Sequence, residues 1–371
     1  MSDEGRPSSG LFVTLYDEHT LNLYLEHGVY GFLMPLESDE ISQYSRHYAA
    51  LADYACGRDG THVFFFLKRR IVYGGQLVGS RDQGCFYING PLSPMGVRTN
   101  AKLCWDESVR ERYEATDKPG VFKVQTKDGI QERCQPYLIR FEDRVGFRGK
   151  AITSDDFYFE LGGFGYPLPT NSIQGMGFCT MTPGEVDILV RLLQGSSDSA
   201  FQGCSEEIEL DGQPLHFYPE YGIRQLTEAS SESHLEASII ANPGLLPSVL
   251  DPRGSTVCRQ VPMSPLKPYQ MDKADICYYS DDPIQLGTIP NMVIELKKGI
   301  AGKNEMKQVL RYIMWLRKLI PSEFERIQFC LFAPSFTRTV RNELPADIRS
   351  QVRLEQFGEQ EGDFEQEELP L

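Results

Sequence analysis

Asn291 to Gly299 reads NMVIELKKG, an apolar run into which charge enters at alternate positions. In an extended chain successive side chains point to opposite faces, so Glu295 and Lys297 share one face while Ile294 and Leu296 share the other. Downstream, NEMKQVLRYIMWLRKLIP places Met306, Val309, Leu310, Ile313, Trp315, Leu316 and Leu319 at helical spacings up to Pro321. IQFCLFAPS then reads as a buried strand. Upstream, KADICYYSDDP is a short alternating strand. HLEASIIANPGLLP is a helix with Leu235, Ile239 and Ile240 on one face, ended by Asn242, Pro243 and Gly244. Helix, strand, strand, helix, strand in this order predicts a mixed sheet covered by helices.

Chemistry-bearing residues sit within that pattern. If the strand carrying Asp275 pairs with the strand carrying Glu295 through the turn at 281–290, the two carboxylates meet on one face. Carboxylates held close repel, and a divalent cation removes that cost. Hard oxygen ligands select Mg2+, with Mn2+ as a substitute. Asp275 and Glu295 are the expected metal ligands, and Glu236 reaches the metal directly or through water. Lys297 beside them can orient or help deprotonate a water, or neutralise charge developing in a transition state. Gln308, one turn before Tyr312, can hold a water or a phosphate oxygen. Arg311 and Tyr312 are candidates for the substrate side, and Lys298, Lys303, Lys307, Arg317 and Lys318 for a phosphate-contacting surface. Taken singly, each of these is an ordinary solvated charge, and only a subset can face one cleft.

The ordered series resembles the PD-(D/E)XK nuclease superfamily, the restriction-endonuclease-like fold, and in detail its NucS-like and RecB-like branch. HLEASIIANPGLL with Glu236 is similar to that branch's opening helix, Asp275 in ADICYY stands at its first strand carboxylate, and Glu295-Leu296-Lys297 matches the E-x-K element. Gln308 to Tyr312 in KQVLRY resembles its Q-x-x-R-Y pattern. Ala274 stands where a proline precedes the aspartate in the family pattern, and the gap to Glu295 is long. The resemblance covers roughly residues 230–335. It implies hydrolysis of a nucleic-acid phosphodiester with one or two magnesium ions, leaving a 5′-phosphate and a 3′-hydroxyl.

The amino-terminal region is expected to be mainly short strands and turns. PYLIRFEDRV and DFYFELGGFGYPL supply strand candidates, and MTPGEVDILVRLLQG a helix opened by Thr182, Pro183 and Glu185 and closed by Gly195. GTHVFFFLKRRIVYGGQLVGS is strand, basic turn and glycine-ended strand. Lys68, Arg69 and Arg70 at its tip can touch phosphate, and Tyr73, Phe86, Tyr87 and Trp105 can stack on bases; the alternative is that the aromatics are core and the basic residues solvated. This stretch resembles the barrel segment of PUA-like domains, which include EVE and YTH modules. That resemblance implies a nucleic-acid-recognition barrel, with modified DNA as a substrate class. Tyr158, Phe164, Tyr166 and Phe178 are candidates for pocket walls and Asn171, Ser172 and Gln174 for readers of base edges; the equal alternative is that they are loop and barrel packing.

At 371 residues the chain exceeds the roughly 250 at which one core is usually complete, so two domains are expected. The divisions read as 11–195 for nucleic-acid recognition, 196–233 as connector with further strand candidates in IEL and LHFYPE, 234–350 as the nuclease region, and 351–371 as an acidic tail. The polar stretches 196–206 and 227–233 lack an apolar period, and the tail from Glu355 carries Glu355, Glu359, Glu361, Asp363, Glu365, Glu367 and Glu368 with almost no compensating base. Nine cysteines without a CxxC pair and only six histidines argue against zinc or a disulfide framework. No run approaches the roughly 20 apolar residues of a membrane span, and MSDEGRPSSG lacks a signal peptide's pattern, so a soluble cytoplasmic protein is expected. A formal net charge of −15 excludes a surface that coats nucleic acid all over but leaves room for a local basic cleft. The leading expectation is a magnesium-dependent DNA endonuclease of restriction or defence type, with RNA as an alternative substrate and a homodimer for double-strand cuts. A non-catalytic nucleic-acid binder and a structural or protein-interaction role are its competitors.

Overall fold

The computed structural model describes residues 9–15, 18, 21, 24–25, 28–31, 34–35, 41–68, 70–79, 86–88, 113–115, 121–126, 129–134, 137–147, 152–153, 156, 178–196, 225–250, 252, 255–263, 272–279 and 289–358. The amino-terminal elements are β1 (Gly10–Leu15), β2 (Val29–Tyr30), β3 (Met34–Pro35), α1 (Ile41–Ala55), β4 (His62–Leu67), β5 (Arg70–Leu77), β6 (Phe86–Ile88), β7 (Tyr113–Ala115), β8 (Val121–Thr126), β9 (Gly129–Cys134), β10 (Tyr137–Phe147), β11 (Ile152–Thr153), β12 (Phe178–Met181) and α2 (Pro183–Ser196). The carboxyl-terminal elements are α3 (Glu232–Ala241), β13 (Thr256–Pro262), β14 (Lys273–Tyr279), β15 (Met292–Leu296), α4 (Lys303–Leu319), β16 (Gln328–Ala333) and β17 (Val352–Gln356).

An eight-stranded sheet runs β12-β1-β4-β5-β10-β2, with β11 on β5 and β6 on β10, and a separate four-stranded sheet runs β3-β9-β8-β7. β1 and β4 are parallel, and the connection between them contains α1, a helix in a region whose sequence reads as strands and turns. Among the described residues no closed barrel is resolved. Tyr73, a candidate for base stacking, is buried against Phe65 and Phe141 in the core, as the packing alternative requires. The side chains of Phe86, Tyr87 and Phe178, and all of Trp105, Tyr158, Phe164, Tyr166, Asn171, Ser172 and Gln174, lie outside the described residues, as do IEL and LHFYPE.

The second sheet is β13-β14-β15-β16-β17. Its first three strands are antiparallel neighbours, whereas β15, β16 and β17 are parallel. Parallel neighbours need a crossover, and α4 supplies it between β15 and β16. Alternation sorts each strand between two cores. Ile276, Tyr278, Ile294, Leu296, Cys330 and Phe332 pack on the side of α3, while Cys277, Val293, Phe329 and Leu331 pack with Met306, Val309, Ile313 and Leu316 of α4. This mixed sheet flanked by helices is consistent with the restriction-endonuclease-like fold. β17 extends it into the stretch whose acidity reads as a tail: Glu355 pairs with Phe332, and Phe357 is buried just beyond.

The α3-side core is continuous with that of the amino-terminal sheet, joining Leu11, Phe65 and Tyr54 to Leu235, Ile239 and Ile294. Leu226 and Ala229, in a connector that reads as polar, are buried in it too. Among the described residues no helix is long and apolar enough to cross a membrane.

Candidate active site

Glu295 is placed by the strand register. β14 and β15 pair antiparallel with Ile276 opposite Ile294, which sets Asp275 and Glu295 side by side at the end of the ladder. Leu296 N–H, just past the paired residues, donates to Asp275 Oδ2 at 2.7 Å. Glu295 faces the α4 side, 2% exposed, although a carboxylate left unpaired in such a place is costly. Three groups answer it. Lys297 Nζ donates to Oε1 at 2.8 Å, and Tyr312 OH lies 2.9 Å from Oε2. Gln308 Nε2 in turn donates to Tyr312 OH at 2.6 Å, one helical turn away.

Both carboxyls hold their protons more tightly than usual. Burial raises Asp275 well above the ordinary carboxylate range, Glu295 and Glu236 push the same way, and the Leu296 amide and Lys297 oppose them. Burial also raises Glu295, against the pull of Lys297 and Tyr312. For Lys297 burial disfavours the ammonium, but Glu295, Asp275 and Glu232 outweigh it and keep the side chain protonated. Its side chain is 18% exposed, and Asp275 too is only half-buried.

Glu236 comes from α3, whose N-cap is Ser231, with Oγ accepting from His234 N at 3.1 Å. Glu232 and Glu236 are one turn apart: the first lies 3.8 Å from Lys297 Nζ, and the second is buried behind it. Both oxygens of Glu236 are engaged by Arg259, Oε1 with Nε at 2.9 Å and Oε2 with Nη2 at 2.7 Å. Gln260 Nε2 bridges Glu236 Oε1 at 3.3 Å and Asp275 Oδ1 at 2.9 Å. Gln260 has φ 51°, a left-handed conformation costing roughly 1–2 kcal/mol for a residue with a Cβ.

The structure therefore brings together Glu236, Asp275, Glu295, Lys297, Gln308 and Tyr312. Tyr312, expected on the substrate side, is fully buried, and its hydroxyl also reaches Lys273 O at 2.7 Å. The other basic candidates have partners of their own. Lys298 donates to Ser230 O, Arg311 forms a two-pronged pair with Asp272 at 2.6 and 2.9 Å, and Lys303 pairs with Glu343 at 2.8 Å. Lys68 pairs with Glu18 at 3.0 Å at the exposed β4–β5 turn, Arg70 is exposed beside it, and Arg69 lies outside the described residues. Sequence reading passes over Arg259 and Gln260. Their signal is weak: TVCRQVP holds two polar residues in a short strand, which equally describes a solvated edge.

Among the described residues no group of three or more His, Cys, Asp and Glu side chains forms a metal cluster. Two carboxylates remain, Glu295 buried and Asp275 half-buried, both raised in pKa first by desolvation and flanked by Lys297. That donor set fits magnesium, which is commonly bound by one or two carboxylates and completes its shell with water and phosphate oxygens.

No family model and no curated protein matches the chain. Solved structures that align with it include a repair endonuclease from Pyrococcus abyssi, at 13% identity over 88% of this chain and 98% of that one, with a TM-score of 0.24. EndoMS in complex with double-stranded DNA aligns at 12% identity over 90% and 100%, TM-score 0.24. EndoMS in its apo form aligns at 12% over 89% and 97%, TM-score 0.23.

Proposed function

We propose that this chain is a magnesium-dependent endonuclease that hydrolyses DNA phosphodiester bonds at Asp275, Glu295 and Lys297, as a member of the PD-(D/E)XK superfamily. The observation that carries the reading is the adjacent placement of buried Glu295 and half-buried Asp275, both with raised pKa values, beside a lysine held protonated. Asp275 and Glu295 would hold magnesium, or manganese in its place, which when bound supplies Lewis acidity toward a phosphate and lowers the pKa of water. Lys297, kept cationic, neutralises charge on the phosphate oxygens as the bond breaks. Gln308 fixes the Tyr312 hydroxyl against Glu295 and so holds that carboxylate's second oxygen in place. Glu236, gripped on both oxygens by the Arg259 guanidinium, contributes as a support of Asp275 through Gln260.

Exchange of the present partners of Lys298, Lys303 and Arg311 for phosphate would position the nucleic acid. The β4–β5 turn with Lys68, Arg69 and Arg70 offers a second contact on the amino-terminal side, which we assign to recognition, with modified DNA as a substrate class and a homodimer as the form that cuts both strands.

The test is incubation of the full-length protein with modified and unmodified DNA and RNA in Mg2+, Mn2+ or EDTA. Metal-dependent cleavage of DNA, blocked by EDTA, is the expected result. Binding without turnover in either metal would make the chain a non-catalytic binder, and cleavage confined to RNA would overturn the substrate assignment.

A further inference from the structure

Asp275 is held from behind by a chain of polar contacts that begins among the amino-terminal elements. Asp53 lies on α1, among the amino-terminal elements, and is buried. Its Oδ1 accepts from Arg259 Nη1 at 2.8 Å, while the rest of the guanidinium grips Glu236. The Arg259 backbone is pinned as well: its N–H donates to Thr180 Oγ1 at 3.2 Å, and its carbonyl accepts from that hydroxyl at 3.1 Å. A planar guanidinium with all three nitrogens engaged by carboxylates has one orientation available. The next residue, Gln260, takes the left-handed backbone that lets its amide reach Glu236 and Asp275 together. Such a conformation persists where its surroundings over-determine it.

We propose that Asp53 is a positioning residue for the metal-site carboxylate Asp275, acting through Arg259, Glu236 and Gln260, so that the amino-terminal region forms part of the catalytic centre. The inference rests on the nuclease reading. It explains why a buried, charged cluster stands between the two regions, where apolar side chains of similar volume would join them at no greater cost. It also accounts for Glu236, because one of its oxygens accepts from both Arg259 and Gln260 and so couples the guanidinium to the amide that holds Asp275.

Removing Arg259 would leave two buried carboxylates without a cation and endanger the fold, so the chain of contacts is tested at its ends. Full-length Asp53→Ala, Asp53→Asn, Gln260→Gly and the Asp53→Ala/Gln260→Gly double variant are titrated with Mn2+ by calorimetry, alongside wild type and Asp275→Ala, with thermal melts of each. Outer contacts of metal ligands typically contribute about 10- to 100-fold in affinity. Gln260→Gly is expected to weaken Mn2+ binding within that range and Asp53→Ala by about tenfold, with Asp53→Asn, which keeps an acceptor for Arg259, restoring most of the loss. The double variant is expected to bind no more weakly than Gln260→Gly, because both changes cut one chain of contacts. Wild-type affinity in Asp53→Ala, or losses that multiply in the double variant, overturns the proposal while leaving the metal site standing. Equal absence of binding in wild type and Asp275→Ala overturns both the proposal and the nuclease reading.

Discussion

Two charge clusters lie on either side of Gln260, and they are built from the same parts. In one, Arg259 stands between Asp53 and Glu236; in the other, Lys297 stands beside Asp275 and Glu295. The arginine cluster is sealed, with a rigid fork filling both partners. The lysine cluster is left short. A single ammonium reaches one oxygen of Glu295, Asp275 is answered by amides alone, and the lysine side chain stays partly open to solvent. A sealed cluster holds parts of the chain together, whereas an open one with unmet negative charge is a place for a cation. The same contrast distinguishes Glu236 from Glu295, two glutamates of similar burial with different work.

The comparison breaks first at Arg259. Arg259→Ala strands two carboxylates in the core, and a loss of about 3 to 5 kcal/mol is expected in urea denaturation. A loss below about 1 kcal/mol would mean that the cluster is not sealed. A second experiment concerns pH. The raised carboxyls of Asp275 and Glu295 bind protons more tightly in the folded state than in the unfolded chain. Their stabilisation is therefore complete at pH values below the ordinary carboxylate pKa of about 4 and is lost as pH rises through the raised folded values. Magnesium replaces those protons, so the difference in melting temperature between Mg2+ and EDTA should widen as pH rises. A difference independent of pH would show that the metal binds elsewhere. Smallest is Tyr312→Phe, which removes one hydroxyl from Glu295 and Gln308; about 1 kcal/mol of stability and roughly tenfold in cleavage rate are expected to go with it. An unchanged rate would detach α4 from the site.

Much of the carboxyl-terminal fold is legible because its signals are local. The Glu295 strand alternates cleanly, the α4 pattern keeps helical spacing to its proline, and together they impose the parallel crossover to β16. Asp275, Glu295 and Lys297 follow from strand periodicity, and the pairing of β14 with β15 agrees with the expected register. Arg259 is not legible, because what makes it burial-worthy is a carboxylate on α1, more than two hundred residues earlier, and another on α3. Neither partner can be found from spacing. The charge of Glu355 hides β17 for a different reason: an edge strand with one partly solvated face tolerates acid that composition reads as a tail. α1 is missed in a region dominated by strands, yet it carries Asp53.

The central claim is that the open cluster performs chemistry. Its most direct test is the rate of magnesium-dependent DNA cleavage by full-length Glu295→Ala and Lys297→Ala against wild type, with melting curves to show that each variant is folded. Loss of about 100-fold or more in both, with cooperative melting retained, is the expected result; a folded variant that cleaves at the wild-type rate would contradict it.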